Sequence, residues 1–269
     1  MGLVKSEKTR SLLSRLQQTL PEGVAVPSAR LLAQGISPQL VRKYVESGWL
    51  VPLARGVYAR PPSSVGWQGV VLGMQRLAQL PVHVGGLSAL NLQNLSHYLP
   101  LGGETAIHLW SDAGPVRVPA WVKGITLSQE LVLHGGELFE PGQEREGLVS
   151  STTQVRDWTL IVSAPERAMM EVLSLVDETP GSFIHAAELF EGLPALRPAL
   201  VQRLLVGCRN IKVKRLFMFL ATRQGEPWSR KLDDTLIGLG SGKRVVTRGG
   251  RLDPRFLITV PESLSARGK

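Results

Sequence analysis

The chain has 269 residues, of which 43% are apolar and 20% charged, and its formal net charge is +9. This balance excludes wholesale disorder, and no apolar run reaches the roughly 20 residues that a membrane span requires. One cysteine and a charged N-terminus without a signal-peptide pattern indicate a cytoplasmic protein with no internal disulfide and no membrane partner.

The first 62 residues carry the pattern of a small helical module. Residues 5–20 have leucines, including Leu12 and Leu13, at helical spacing, and Pro21 ends that helix. A short extended piece at residues 24–26 leads to a second helix, which begins after Pro27 and ends at Gly35.

The third helix has a defined start, because Ser37 is placed to cap it and Pro38 occupies its first position. Its apolar face consists of Leu40, Val41, Tyr44 and Val45. Its opposite face consists of Gln39, Arg42, Lys43 and Glu46. Gly48 ends the helix, and residues 49–60 then predict a hairpin that turns near Arg55. Together these elements predict a winged helix-turn-helix.

A helix of about ten residues is roughly 15 Å long and enters a DNA major groove about 12 Å wide. We therefore predict that Gln39 contacts adenine and that Arg42 or Lys43 contacts guanine or phosphate. Arg55 and Arg60 on the wing are predicted to reach phosphates or the minor groove, and Ser37 to bind a phosphate at the helix N-terminus. In the alternative, the winged helix docks a protein and its polar face is only solvated.

The segment "GISPQLVRKYVESGWLVPLARGVYARP" (residues 35–61) resembles the N-terminal winged helix of AbiEi-family antitoxins, which act in type IV toxin–antitoxin systems. The resemblance continues at residues 82–99, 163–173, 212–228 and 239–261. It implies repression of the antitoxin–toxin operon, commonly at inverted repeats of operator DNA. It also implies a C-terminal domain that counteracts, directly or indirectly, a nucleotidyltransferase-like toxin.

We predict an α+β fold with two domains. Residues 1–95 form the winged helix-turn-helix domain (core 1–62) with its following helices, and residues 96–269 form a larger, mixed α/β C-terminal antitoxin domain. Residues 60–64, "RPPSS", have the composition of a linker. Helices are predicted at 67–80 and 87–95, without an indication of which domain the first one packs on. Strands are predicted at 106–110, 116–118, 124–127, 131–133 and 158–162, in a mostly antiparallel sheet.

Helices are also predicted in the second half, at residues 165–176, 196–208 and 212–225. The first has the spacing of a capping box, Ser163 with Glu166, and the second places Cys208 in the core. A basic hairpin follows, with strands near 245–246 and 256–260.

Positive charge is concentrated at the two ends of the chain. Residues 1–62 hold nine Lys or Arg against three Asp or Glu, and residues 211–269 hold thirteen against five. Residues 63–210 between them hold nine against fourteen. Candidate contacts of the basic C-terminal segment are Lys212, Lys214, Arg215, Lys243, Arg244, Arg248 and Arg251. They fit a toxin, tRNA or operator DNA, or alternatively a solvated sheet edge.

The chain shows no pattern that predicts catalysis, a metal or a cofactor. The histidines His83, His97, His108, His134 and His185 are scattered without ligand spacing. The segment "GLGSGKR" fails the phosphate-loop pattern, and Asp233 and Asp234 near Lys231 only faintly resemble a nuclease site. The alternatives to a DNA-binding antitoxin are a protein-interaction module, a ligand-responsive winged-helix regulator and a nucleic-acid enzyme.

Overall fold

The computed structural model describes residue 14 and residues 16–61, 64–96, 106–114, 116–153, 155, 157–193 and 196–265. Its α-helices are Ser28–Ala33 (α1), Pro38–Glu46 (α2), Trp67–Leu72 (α3), Gly86–Leu92 (α4), Ala120–Lys123 (α5), Pro165–Leu175 (α6), Pro180–Glu191 (α7), Pro198–Gly207 (α8), Ile211–Gln224 (α9) and Asp234–Ile237 (α10). A π-helical turn covers Gly73–Leu77, and 3₁₀ turns cover Ser229–Lys231 and Glu262–Leu264. The strands are Val26–Pro27 (β1), Val51–Ala54 (β2), Val57–Ala59 (β3), His83–Val84 (β4), Ala106–Ser111 (β5), Glu130–Gly135 (β6), Leu148–Thr152 (β7), Thr159–Ser163 (β8), Arg251–Asp253 (β9) and Ile258–Val260 (β10).

The winged helix-turn-helix is confirmed. Strands β2 and β3 form the wing hairpin, and β1 adds to it in the order β1-β3-β2. Of the first predicted helix, residues 16–19 are helical, and Leu12 and Leu13 lie outside the described residues. Leu16, Leu31 and Val57 are buried in one cluster with Val41 and Tyr44 of α2, so the apolar face of α2 packs inward as predicted.

The helix predicted at residues 67–80 is confirmed as α3 followed by the π-helical turn. It packs closely on the winged helix, since a Cβ on Gly69 would lie 1.8 Å from the carbonyl oxygen of Gly23. Beyond α3, buried Gln75 binds the sheet: its Nε2 donates to the carbonyl oxygens of Val82 and Ile161, both at 3.0 Å. The helix therefore contacts both parts of the chain.

One hydrophobic cluster runs from the winged helix through α3 into the five-stranded sheet. It includes Leu31 and Val70 together with Val84, Leu109 and Val162. The two parts therefore share a core, and the division between residues 95 and 96 stays a prediction.

The central sheet has the order β6-β5-β4-β8-β7. Pairs β5–β6 and β4–β8 are parallel, whereas β4–β5 and β7–β8 are antiparallel. The prediction of a mostly antiparallel sheet is therefore wrong. Strands β5, β6 and β8 fall where strands were predicted, but no strand forms at 116–118 or 124–127 among the described residues, and α5 lies between those segments.

The last third of the chain packs helices α6 to α9 around a second large core. Helices α6, α8 and α9 confirm the predictions, and Gly225 ends α9 in the left-handed conformation with φ 67°. The basic hairpin is shifted from its predicted position, because β10 pairs with β9. Near residues 245–246 the described backbone forms only an isolated bridge, between Arg244 and Ile258. No helix in the described part of the chain is long and apolar enough to cross a membrane.

Candidate nucleic-acid interface

Helix α2 presents its predicted polar face to solvent. Gln39, Arg42 and Lys43 are exposed, while Val41 and Tyr44 on the other face are buried. The start of the helix is as predicted: Ser37 Oγ accepts a hydrogen bond from the Leu40 amide at 3.3 Å. That oxygen caps the helix, and because a hydroxyl that accepts a hydrogen bond can still donate one, the phosphate contact of Ser37 stays a prediction.

The helices and the wing border one open groove of about 720 Å³. Arg42 lines it from α2, Leu32 from α1, and Pro52 and Tyr58 from the wing. Arg55 is exposed at the turn of the wing. Helix α2 and the wing thus line one groove, with exposed cations on α2 and at the wing tip.

Arg60 does not belong to that surface. Its side chain is 12% exposed and turns inward, where Nη1 donates to the carbonyl oxygens of Gln17 and Leu20 at 3.1 and 2.8 Å. Nη2 lies 3.5 Å from Oε1 of Glu22. The structure thus contradicts the predicted phosphate contact of Arg60, because its donors bind the end of the preceding helical segment.

Three predicted C-terminal contacts are likewise internal. Lys212 Nζ donates to the carbonyl oxygens of Ser174 and Val176 at 3.1 and 2.7 Å. Lys214 is buried and donates to the carbonyl oxygen of Ile237 at 2.7 Å, and burial lowers the pKa of its ammonium group. Both ammonium groups donate to carbonyl oxygens at the C-terminal ends of α6 and α10, so their assignment to a partner surface is wrong.

Arg215 is the third of these internal cations and is 1% exposed. Its Nε donates to the carbonyl oxygen of Leu239 at 2.8 Å, and its Nη1 donates to those of Gly242 and Leu257 at 2.6 and 3.2 Å. Arg215 therefore anchors the glycine-rich loop before β9 to helix α9. That loop is the segment that failed the phosphate-loop pattern.

The remaining predicted cations are exposed in the segment that leads into β9. Lys243, Arg244 and Arg251 face solvent. Arg248 is also exposed, but its Nε donates to Glu178 Oε2 at 2.5 Å, which partly neutralises its charge. The candidate C-terminal contact surface is thereby reduced to Lys243, Arg244 and Arg251, with Arg248 beside an acidic partner.

A buried polar network centred on Glu171 was not predicted. Its carboxylate accepts hydrogen bonds from His83 Nε2 at 2.8 Å, from the Gly86 amide at 2.8 Å and from Ser163 Oγ. Arg167, one turn earlier on α6, donates its Nε to the same carboxylate at 3.0 Å. The Arg–Glu spacing of four residues is the local signal that could have indicated the pair.

Arg167 extends this network to the neighbouring loops. Its Nη2 pairs with Asp112, and its Nη1 donates to the carbonyl oxygen of Glu146 at 2.7 Å. Its guanidinium also lies 4.6 Å from the centre of the Phe139 ring. The network therefore ties α6 to the sheet and to the loop before β7.

The predicted capping box is wrong, because Ala164 rather than Ser163 is the N-cap of α6. Ser163 ends β8 and donates to Glu171, while Glu166 accepts from Nε, Nη2 and the amide of Arg197, each at 2.9 Å. Glu166, which the local pattern assigned to the cap, therefore binds Arg197, 31 residues further along the chain.

The structure also brings two of the scattered histidines together. Parallel pairing of β5 and β6 places His108 Nδ1 2.7 Å from His134 Nε2, and the His134 ring stacks on Trp110 at 4.6 Å. Cys208 is buried as predicted, and burial raises the pKa of its thiol to about 11. The described residues contain no group of three or more His, Cys, Asp or Glu side chains that could hold a metal ion. His97 lies outside the described residues.

Matches to two known protein families together cover nearly the whole chain. Residues 9–101 match a family described as "Transcriptional regulator, AbiEi antitoxin N-terminal domain". Residues 104–261 match one described as "Transcriptional regulator, AbiEi antitoxin, Type IV TA system". A search of curated proteins finds no sequence that matches the chain.

Among solved structures, the chain is similar to the RV2827C protein from Mycobacterium tuberculosis. The similarity covers 93% of this chain and 89% of that one, with a TM-score of 0.51 and 18% sequence identity. At this identity the likeness shows a shared fold, in which a winged helix and a mixed α/β part occur in one chain.

Proposed function

The chain belongs to the AbiEi family of transcriptional-regulator antitoxins of type IV toxin–antitoxin systems, and from this premise we propose that it represses its own operon by binding operator DNA through the winged helix. The observation that carries the proposal is the exposure of Gln39, Arg42 and Lys43 on one face of α2. If these side chains were buried or paired within the chain, they could not form hydrogen bonds with bases in a DNA groove.

In the proposed complex, α2 lies in the major groove and Arg55 at the wing tip contacts a phosphate. Arg42 can donate two hydrogen bonds to guanine, and Gln39 can pair with adenine. Glu46 lies on the same face and repels phosphates, so we place the base contacts in the N-terminal half of the helix. Two copies bound to inverted repeats would repeat these contacts in each half-site.

We further propose that the C-terminal part counteracts a nucleotidyltransferase-like toxin. Lys243, Arg244 and Arg251 are the exposed cations that support a contact with an acidic toxin surface or with a nucleic acid that the toxin uses. Direct contact is tested by co-purification of the tagged protein with the toxin after nuclease treatment. A complex that survives nuclease in the wild type and is lost in Lys243→Ala/Arg244→Ala/Arg251→Ala supports direct neutralisation.

Operator binding is tested by a gel-shift assay with DNA from upstream of the operon. We expect a discrete complex that withstands an excess of unrelated DNA. If no complex forms while the protein still co-purifies with a partner protein after nuclease treatment, the winged helix is a protein-docking module and the proposal fails.

A further inference from the structure

A second, polar cleft lies between the winged helix and the central sheet. It has a volume of about 610 Å³ and is lined by Arg30 and Gln34 of α1, Arg76 of the π-helical turn, and Asp157 and Trp158 before β8. The cleft is separate from the groove beside α2, because α1 turns Leu32 toward that groove and Arg30 toward this cleft. Small-molecule sites occur preferentially at such junctions between parts of a chain.

Arg30 provides the first indication of a ligand. Its Nε is buried and has no hydrogen-bond partner in the described structure. A guanidinium nitrogen that is removed from water and left unpaired is costly, and buried polar groups of this kind usually have a partner. Arg30 lines the cleft and has donor capacity that no group of the described chain uses, so an anion there can bind its terminal nitrogens.

Arg76 provides a second guanidinium from a different element. Its Nη2 donates to the carbonyl oxygen and to Oγ1 of Thr159, at 3.2 and 2.9 Å, which fixes the side chain beside β8. The residue lies in the π-helical turn Gly73–Leu77, and π-helical turns inside α-helices occur frequently at functional sites. The backbone just beyond the turn is also strained, because Gln79 has φ 53°.

The rest of the lining indicates the kind of anion. Among the described residues that line the cleft, two arginines, Arg30 and Arg76, stand against one carboxylate, Asp157, so these residues favour negative charge in the ligand. Guanidinium groups bind phosphate oxygens through paired hydrogen bonds, and the half-buried indole of Trp158 offers a ring on which a base can stack. The cleft volume lies within the range of about 300–1,000 Å³ that small ligands occupy.

We propose that this cleft binds a nucleoside phosphate, with the phosphates on Arg30 and Arg76 and the base on Trp158. The ligand would contact α1 of the winged helix and the sheet at the same time. The site differs from the operator surface, so binding is measured without DNA.

Isothermal titration calorimetry of the full chain with ATP, and separately with inorganic phosphate, tests the proposal. We expect saturable ATP binding to the wild type and a Kd raised about tenfold or more in both Arg30→Gln and Arg76→Gln, the loss expected for one charge-assisted contact. The matched control is Arg230→Gln, which removes an exposed arginine outside the cleft and should bind ATP like the wild type. Circular dichroism and the thermal midpoint confirm that each variant is folded.

Three results would overturn the proposal: no ATP binding to the wild type, equal ATP affinity in both cleft variants and the wild type, or inorganic phosphate binding as tightly as ATP. Operator affinity of Arg30→Gln is measured in parallel. If that variant loses operator DNA while the wild type binds no ATP, Arg30 serves the DNA backbone and the cleft is not a nucleotide site.

Discussion

Nη1 of Arg60 donates a hydrogen bond to the carbonyl oxygen of Leu20 at 2.8 Å, across 40 positions of sequence. The bond joins the residue that follows the wing to the end of the first helical segment. An arginine that sequence patterning assigned to DNA therefore holds the winged helix together, and the two roles can be separated by experiment.

Replacing Arg60 by Ala should destabilise the protein by about 1–3 kcal/mol, because the carbonyl oxygens of Gln17 and Leu20 lose their donor. Urea denaturation followed by circular dichroism measures this loss. The matched variant is Arg55→Ala, which removes an exposed wing cation and should leave stability within about 0.5 kcal/mol while weakening operator binding. If Arg60→Ala kept wild-type stability but bound the operator more weakly, Arg60 would be a DNA contact and not a structural residue.

Replacing Arg215 by Ala should destabilise the protein by about 3 kcal/mol or more, since a buried guanidinium that serves three carbonyl oxygens is lost. The glycine-rich loop should also become more sensitive to limited proteolysis. Exposed Arg244 provides the control, because Arg244→Ala should unfold at nearly the same urea concentration as the wild type. Equal stability of the two variants would show that Arg215 is not an anchor.

Acidification should destabilise the fold from about neutral pH downward. Burial, together with Arg167, lowers the pKa of His83 below its ordinary 6.5, although Glu171 opposes this. Burial alone would raise the pKa of Glu171, but His83, Arg167 and the Gly86 amide hold it below its ordinary 4.5. Both groups bind protons more readily in the unfolded chain, so each contributes stability above its ordinary pKa and loses it below.

The measurement is the free energy of unfolding in urea between pH 7.5 and pH 4. Stability should fall first below about pH 6.5, where His83 titrates in the unfolded chain, and more steeply below about pH 4.5. Burial and His108 also lower the pKa of His134, which adds to the first phase. His83→Gln should reduce the first phase, whereas the exposed-site control His185→Gln should not. If the free energy of unfolding rose on acidification, the pKa values of His83 and Glu171 would not be lowered in the folded chain.

Cys208 should be unreactive in the native protein. The residue is 2% exposed, and burial raises the pKa of its thiol to about 11, so little thiolate forms at pH 8. A thiol reagent such as dithionitrobenzoate should label the chain in urea but not under native conditions, and the single cysteine makes the signal unambiguous. Rapid labelling of the native protein would place Cys208 at the surface.

The elements that were predicted correctly are marked by residues at their own ends. Ser37 and Pro38 mark the start of α2, and Gly225 marks the end of α9. Such caps depend on local backbone geometry, which the residue types themselves encode. The winged helix could therefore be predicted as a whole, together with its exposed polar face.

The misplaced features depend on partners far away in sequence. Strand β4 has only two residues, yet it pairs with both β5 and β8 and so makes the sheet mixed. Whether a cation faces solvent or a backbone carbonyl is also decided by distant segments, as Lys214 with Ile237 shows. Periodicity within α9 places Lys214 on a helix but does not indicate what its ammonium group contacts.

DNA binding by the exposed face of α2 is tested most directly by the affinity for operator DNA, measured by fluorescence anisotropy over a range of salt concentrations. The double variant Arg42→Ala/Lys43→Ala is compared with Arg230→Ala/Lys231→Ala, which removes two exposed cations from the C-terminal part. We expect the first variant to bind about tenfold or more weakly, with a log–log salt slope smaller by about 1–2, and the second to match the wild type. Wild-type affinity and salt slope in the Arg42→Ala/Lys43→Ala variant would show that α2 does not bind the operator.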